Sequence, residues 1–365
     1  MRKSVIVSTL AATAMVLSAC GQAPEAKPSA SSTESGGSTA SGAHSDVKAC
    51  MVSDEGGFDD KSFNQSGHEG LLRAEKELGV QIKTAESHQD SDFEPNLNNM
   101  VAEGCNIIIG VGFKMADQLE AKAKENPNVK FALVDSTFKE NPDNARALVF
   151  NTAEAAYLAG YAAAGMSKTG AVGTFLGMKI PTTAIFADGF EDGVKKYNED
   201  FGKSVKVLGW DKASQNGQAT GDFSDVAKGQ STAKTLIDQG ADVIMPVAGP
   251  VGAGALAAAK AAGDGKVSVV WVDADGYETQ KDSGSLILTS VVKEIGAAVF
   301  DTIKSVAEDK FSSEQYVGTL ENGGVSIADF HDFDSKVPQE LKDGLNKVKE
   351  DIISGTIKIE TQNQP

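Results

Sequence analysis

Several side chains that could bind a polar ligand follow directly after short apolar segments. Asp54 follows one such segment, and Phe63 and Asn64 lie in the polar loop beyond it. Asp135 and Asp273 end two other apolar segments. An ionised carboxylate only accepts hydrogen bonds, so these positions suit a ligand that carries N–H or O–H groups. Phe63 suits stacking on a flat heterocycle, and the alternative is that its ring packs beneath its own loop.

Three further residues complete the candidate set. Lys293 lies beyond another apolar segment and can donate to ligand hydroxyls, unless it is a solvated lysine at a helix start. Phe186 is a candidate for the wall opposite Phe63, with Phe190 as the alternative. Gly249 lies in a G-x-x-G-x-G turn whose spacing differs from the dinucleotide fingerprint. We therefore expect the backbone there to approach a neutral ligand closely.

The elements that carry these residues form an alternating pattern. Several of the apolar segments are nearly continuous, which is typical of parallel strands buried on both faces, and amphipathic helical segments lie between them. This alternation predicts an α/β fold. Ten strands suit two sheets better than one, and ligands of such sheets bind at the carboxyl ends of the strands. The predicted strands are residues 49–53, 80–84, 105–110, 130–135, 147–150, 171–176, 205–210, 242–247, 267–273 and 285–290. The predicted helices include residues 66–78, 115–125, 153–166, 229–239 and 295–308.

The N-terminus has the pattern of an export signal. Arg2 and Lys3 precede a short apolar run that is too short for a stable transmembrane helix, and Leu-Ser-Ala leads to Cys20. We interpret residues 1–19 as a signal peptide. Cys20 is then the lipidated (palmitate-bearing) N-terminus of a lipoprotein, and the alternative is a secretory signal with a chance cysteine. Residues 20–46 lack aromatic residues and predict a flexible tether. The protein is therefore expected at the extracytoplasmic face of the cell membrane.

Composition restricts the partners. The formal net charge of −17 argues against binding to nucleic acid or anionic lipid, so contact with the membrane is expected through the lipid anchor only. The four histidines are far apart in sequence, and no H-E-x-x-H, G-x-S-x-G or C-x-x-C motif is present. The sequence therefore predicts no metal site, no cofactor and no catalytic site.

The motifs resemble one family over nearly the whole folded chain. Residues 54–65 are similar to the D-x-G-x-x-D-x-S-F-N segment of the basic membrane lipoprotein family, which includes purine-nucleoside receptors of ABC importers. This chain has Gly276 where the family has glutamine after Asp275, so the resemblance does not carry over to the contacts of that loop. The other matching segments are residues 110–113, 131–135, 177–190, 247–254, 272–275 and 289–293.

The resemblance implies a two-lobed, periplasmic-binding-protein-like fold of type I. Each lobe would be a parallel sheet flanked by helices, with the ligand cleft between the lobes. Lobe one would contain residues 47–150 and about 291–320, and lobe two residues 151–290 and about 321–362. The lobes would close on a nucleoside about a hinge, and the closed protein, expected to be a monomer, would dock on an ABC permease.

The resemblance also suggests what each residue does. Phe63 would stack on the base, and Asp135 would read the base edge, with an Asx turn or N-cap as its alternative. Asp273 would accept hydrogen bonds from the ribose diol, to which Lys293 would donate. Asp54 would supply further contacts, as would Asn64, and both have a competing role as loop stabilisers.

Two other classes of function are also compatible with the sequence. Carboxylates near a sugar also suit a surface-anchored nucleoside hydrolase or glycosidase, and a lipoprotein receptor can present its ligand to a membrane sensor.

Cys50 lies in the first predicted strand and Cys105 opens the third, so the strand order 2-1-3 would make them neighbours. An exported domain allows a disulfide there, with two buried thiols as the alternative.

Overall fold

The computed structural model describes residues 44–365. The predictions for the signal peptide, for Cys20 and for most of the tether lie outside the described residues. Residues 44–46, which we assigned to the tether, form a turn beside the first strand. The backbone N–H of His44 donates to the carbonyl of Leu78, so these residues contact the folded domain.

Two six-stranded sheets form the centre of this domain. The strands are β1 (Lys48–Val52), β2 (Gln81–Ala85), β3 (Ile107–Val111), β4 (Lys130–Val134), β5 (Ala145–Phe150), β6 (Ala171–Leu176), β7 (Lys206–Leu208), β8 (Trp210–Asp211), β9 (Asn216–Gly217), β10 (Val243–Val247), β11 (Ser268–Asp273), β12 (Ile287–Lys293), β13 (Tyr316–Gly318) and β14 (Val325–Ile327). The first sheet has the order β13-β5-β4-β3-β1-β2 and is parallel throughout. The second has the order β14-β12-β11-β10-β6-β7, in which only β14 is antiparallel. Strands β8 and β9 form a separate ribbon.

Helices cover both faces of each sheet. The helices are α1 (Phe63–Leu78), α2 (Phe93–Ala102), α3 (Ala116–Glu125), α4 (Thr152–Met166), α5 (Pro181–Phe201), α6 (Val226–Asp238), α7 (Ala253–Ala262), α8 (Gly276–Thr279), α9 (Ile295–Ala307) and α10 (Gln339–Ile353). Helices α1, α2, α3 and α9 pack on the first sheet, and α4 to α7 pack on the second. This confirms the predicted α/β architecture. In the part of the chain that the structure describes, no helix has the length and apolarity needed to cross a membrane.

Both faces of each sheet are buried, and the alternation of side chains along a strand explains why nearly every strand position is apolar. Ala49 and Met51 of β1 belong to the large apolar cluster that includes residues of α1, whereas Cys50 and Val52 pack with apolar residues of α2 and α3. Successive side chains of a strand point to opposite faces, so both sets must be apolar when both faces are covered. The continuous apolar segments in the sequence have this cause.

The chain passes between the two sheets at three places. Strand β5 continues into α4 at Asn151, β12 continues into α9 at Glu294, and residues 319–324 join β13 to β14. The N–H of Asn151 donates to the carbonyl of Gly318, and the N–H of Glu294 donates to that of Gly324. The third crossing is thus hydrogen-bonded to both others.

Two predicted boundaries are wrong. The strand predicted at 285–290 is β12, which extends to Lys293 in the second sheet. The strand predicted at 205–210 is interrupted at Gly209, where φ is 85°. Its first half is β7 at the sheet edge, and its second half turns away to pair with β9.

One cysteine lies in β1, and the other lies just before the neighbouring strand β3. Strand β1, which carries Cys50, lies between β2 and β3, and Cys105 lies two residues before β3 begins. The structure joins Cys50 and Cys105 as a disulfide, with their Cα atoms 6.0 Å apart. That separation lies within the range that disulfides require. The pairing in the exported protein stays a prediction, whose measurement is given below.

Candidate ligand-binding cleft

A cavity lies between the two lobes at the carboxyl ends of their parallel strands. The empty space in and above it, counted together with its open mouth, is about 720 Å³. The structure brings together all eight residues selected from the sequence. The cavity is lined by Asp54, Phe63, Asn64, Asp135, Phe186, Gly249, Asp273 and Lys293.

Lys293 is shared by a carboxylate from each lobe. Its Nζ lies 3.0 Å from both Oδ1 and Oδ2 of Asp135, which follows β4. The same Nζ lies 3.4 Å from Oδ1 of Asp273, which ends β11. Lys293 is only 4% exposed. Two carboxylates and one ammonium leave this buried group with a surplus of negative charge and of hydrogen-bond acceptors.

Asp135 and Asp273 share an unusual backbone conformation. Their φ angles are 67° and 70°, in the left-handed region that residues other than glycine rarely adopt. Strands β4 and β11 also hold equivalent positions, since each is third in its sheet. Backbone strain of this kind costs about 1–3 kcal/mol per residue and is concentrated at functional sites. The same left-handed backbone conformation therefore directs one carboxylate from each lobe into the cleft.

Burial and charge set the protonation of these groups. Burial raises the pKa of Asp135, and repulsion by Asp273 adds to this, while Lys293 opposes it. Burial alone would lower the pKa of Lys293, but attraction by the two carboxylates outweighs this effect and holds the pKa above its ordinary value. The ammonium therefore stays charged at neutral pH.

Asp54 presents a free acceptor oxygen to the cleft. Its Oδ1 accepts from the N–H of Gly56 at 3.1 Å and from Nδ2 of Asn64 at 2.7 Å. Its Oδ2 has no hydrogen-bond partner among residues 44–365. Burial raises the pKa of Asp54 to about 6. Gly112 makes room for this carboxylate, because a Cβ there would lie 2.6 Å from Oδ2 of Asp54.

Asn64 acts mainly within its own loop. Its Nδ2 donates to Asp54 and, at 3.1 Å, to Oδ2 of Asp60. Its Oδ1 accepts from the backbone N–H of Asp54 at 3.2 Å. Both amide hydrogens are thus already used. This geometry favours the alternative that the sequence left open for Asn64, in which it holds Asp54 in place.

One aromatic ring from each lobe contributes to the cleft. Phe63 begins α1, and Phe186 lies in the second turn of α5. The Nζ of Lys293 lies 5.3 Å from the ring centre of Phe63 and 5.1 Å from that of Phe186. Phe190, one turn further along α5, is fully buried and does not line the cavity. Of the two candidates for the second wall, Phe186 is the one that faces the cleft.

Several lining residues were not predicted from the sequence. Gly249 lies after β10, and its neighbours Ala248 and Pro250 also line the cavity. Phe113 ends the matching segment 110–113 and Lys114 follows it, and that match was the sequence signal for both. The remaining unpredicted residues of the lining are Glu55, Gly56, Asp60, Gly112, Ile180, Thr182, Thr183, Phe223, Val247 and Val272.

Comparison with known proteins identifies the family. A family model described as ABC transporter substrate-binding protein PnrA-like matches residues 47–363. The chain belongs to this family. The predicted resemblance to basic membrane lipoproteins is therefore confirmed. Residues 44–365 contain no group of three or more His, Cys, Asp or Glu side chains arranged to hold a metal ion.

Relatives and solved structures agree with this assignment. An ABC transporter nucleoside-binding protein of Lactococcus lactis is 34% identical over 86% of this chain and 89% of its own. Basic membrane protein B of Borreliella burgdorferi is 34% identical over 70% of this chain and 72% of its own. An ABC solute-binding protein from Aeropyrum pernix superposes with a TM-score of 0.77 at 27% identity, covering 86% of this chain and 93% of that one.

Membership of this family settles the class of function. Its members are extracytoplasmic, membrane-associated substrate-binding proteins that bind a small molecule and deliver it to an ABC permease. This PnrA-like protein is therefore a binding protein and not an enzyme. The alternatives of a hydrolase and of a receptor for a membrane sensor are set aside. The structural neighbour confirms the two-lobed, type I fold.

Proposed function

We propose that the cleft binds nucleosides, purine nucleosides in preference, and closes on them about the hinge. The Lactococcus lactis relative that carries the name nucleoside-binding protein supports this proposal. The single observation that carries it is the surplus of acceptors beside two aromatic rings. Asp135 and Asp273 share the one ammonium of Lys293, and Asp54 lines the same cleft.

That surplus specifies the chemistry of the ligand. Ionised carboxylates need donors, so the ligand must bring N–H or O–H groups. An anionic ligand would add negative charge to a buried group that already has an excess of it. A nucleoside is neutral, has a ribose diol that donates to Asp273, and has a flat base that stacks on Phe63. A purine offers the larger face to Phe63 and Phe186, and each stacked base contributes about 1–3 kcal/mol.

Binding and closure are the same event in this proposal. Asp135 belongs to lobe one and Asp273 to lobe two, so a ligand that contacts both must bridge the lobes. Ligand contacts of this kind stabilise the closed form over the open one. The three chain crossings would act as the hinge.

The first test is calorimetric titration of the protein with inosine, guanosine, adenosine, uridine, cytidine and the corresponding free bases. Asp273→Ala is expected to weaken nucleoside binding far more than free-base binding, because its partner is the ribose. Asp135→Ala should weaken both, since that side chain reads the base. Asp275→Ala is a matched control, because Asp275 caps α8 and pairs with His331 outside the cleft. Equal losses for nucleoside and base in Asp273→Ala would contradict the ribose contact.

The remaining parts of the proposal concern the anchor and the assembly. Cys20 would carry the lipid, and the monomeric receptor would reach its permease on the tether. Metabolic labelling with palmitate should mark the wild-type protein and leave Cys20→Ala unlabelled. Equal labelling of both proteins would contradict the anchor.

A further inference from the structure

Ser62 is a buried hydroxyl that connects the lobes without lining the ligand cavity. It belongs to lobe one, immediately before Phe63, and is 0% exposed. Its Oγ lies 3.0 Å from Oδ2 of Asp273 and 3.2 Å from the carbonyl oxygen of Val272, both in lobe two. The lining residues of the cleft do not include it.

The local structure explains why this hydroxyl is available. Ser62 is the N-cap residue of α1, and a serine there normally accepts from the backbone N–H groups of the first turn. Asp60 has taken over that function, since its carboxylate accepts from the N–H groups of Ser62, Asn64 and Gln65. The side chain of Ser62 makes no cap hydrogen bond. Its hydroxyl is therefore free to donate across the cleft.

Asp273 is consequently held from two directions. Lys293 contacts Oδ1 and Ser62 donates to Oδ2. The Lys293 contact lies within the sheet that carries Asp273, because β11 and β12 are neighbours. The Ser62 contact exists only when the lobes are together. Closure thus adds a donor to Asp273 and fixes the plane of its carboxylate.

We infer that Ser62 is a positioning residue that orients the ligand acceptor Asp273 when the lobes close, and so slows ligand release. This inference rests on the proposed function for its ligand. A hydrogen bond to a charged group that is made only in the closed form stabilises that form over the open one. The dissociation rate constant should respond, because the open form that the ligand enters lacks this contact.

The test compares Ser62→Ala with Thr174→Val. Thr174 is also 0% exposed, and its hydroxyl donates to the carbonyl of Met245 within lobe two only. Wild-type affinities for inosine, guanosine and adenosine are measured first, and the tightest of the three serves as probe in stopped-flow kinetics. Ser62→Ala should dissociate about tenfold faster with an association rate within twofold of wild type. Thr174→Val should leave both rates within twofold. A dissociation rate changed by less than threefold in Ser62→Ala overturns the inference.

A double-mutant cycle separates positioning from general damage. If Ser62 acts through Asp273, Ser62→Ala should change affinity by less than twofold in the Asp273→Ala background. An undiminished effect there overturns the inference. Thermal unfolding checks the fold, and Ser62→Ala should lose no more than Thr174→Val does, because its hydroxyl does not cap α1.

A ligand-free measurement keeps this inference distinct from the proposed function. Asp59 and Lys281 are exposed, lie on facing lobes and line a second pocket between them that is separate from the ligand cavity. Spin labels on Asp59→Cys and Lys281→Cys report the distance between the lobes. Ser62→Ala should shift that distribution to longer distances relative to Thr174→Val, and identical distributions overturn the inference. If the wild-type protein binds no nucleoside, the proposed function is refuted. The role of Ser62 in closing the lobes is then tested by the distances between the spin labels alone.

Discussion

Replacing Asp188 with alanine should strongly destabilise lobe two and leave the cleft intact. Asp188 lies on α5 and is 0% exposed. Its Oδ1 accepts from Nε1 of Trp210 at 2.9 Å and from Nε2 of Gln215 at 2.8 Å. Its Oδ2 accepts from Nδ2 of Asn363 at 2.9 Å and from the hydroxyl of Thr361. One carboxylate therefore connects α5, the β8–β9 ribbon and the C-terminal segment.

The magnitude follows from what each donor does after the carboxylate is removed. Trp210 is 6% exposed and cannot turn to water, and Gln215 is only partly exposed. A buried donor left without a partner costs about 1–3 kcal/mol. Thr361 and Asn363 are partly exposed and can bond to water instead, so each loses only the net contribution of its hydrogen bond. We expect Asp188→Ala to lower the free energy of unfolding by about 3–5 kcal/mol, near the top of the range for one substitution.

Urea unfolding followed by circular dichroism measures this loss, with Asp192→Ala as the matched control. Asp192 is on the same helix, but it is partly exposed and pairs with Lys212, so its loss should be about 0–1 kcal/mol. Removing residues 361–365 should cost less than Asp188→Ala, because the buried donors keep their acceptor. Ligand affinity should change little, since Asp188 does not line the cavity. A loss for Asp188→Ala no larger than that for Asp192→Ala would refute the reasoning.

Three further outcomes follow from the structure. Burial raises the pKa of Asp54 to about 6, and a ligand donor needs the ionised carboxylate. Nucleoside affinity should therefore be constant above pH 7 and fall as pH drops through 6. Asp54→Asn should remove this pH dependence, and a pH dependence that persists in the variant would show that another group causes it. Mass measurement of the unreduced protein should show a loss of two hydrogens in the Cys50 and Cys105 peptides, whereas two titratable thiols would exclude the disulfide. Glu154, in the first turn of α4, accepts from the N–H of Leu320 at 2.6 Å and so joins the first chain crossing to the third. Glu154→Ala should lower the free energy of unfolding by about 2 kcal/mol. Glu154→Gln keeps an acceptor and should lower it less.

The sequence predicted the parts of the fold that depend on local pattern. Buried parallel strands must be apolar on both faces, so they appear as continuous segments such as residues 267–273. The candidate residues could be found because ligands bind at the carboxyl ends of such strands, where both Asp135 and Asp273 lie. That their two sheets share one cleft was implied by the family resemblance. Their left-handed φ angles and their shared lysine had no signal in the sequence.

The elements that were missed depend on tertiary contacts. Helix α5 contains glycines, which disfavour a helix by about 1 kcal/mol each. The structure shows why glycine is needed at Gly193, where a Cβ would lie 1.9 Å from the carbonyl oxygen of Tyr157 on α4. Strands β13 and β14 have three residues each and exist only because the chain returns across the hinge. Segments this short carry no periodicity, so they could not be predicted.

The equivalence of the two sheets explains why one cleft combines binding with closure. Each sheet aims one strained aspartate at the cleft from its third strand, and neither lobe alone supplies enough donors for its own carboxylate. Lys293 ends the strand that leads into a chain crossing, so it can contact Asp273 in its own sheet and Asp135 across the cleft. One ammonium cannot fill the acceptor positions of two carboxylates. Closure adds the hydroxyl of Ser62 for Asp273, and the other donors must come from the ligand, which can reach both carboxylates only when the lobes are closed.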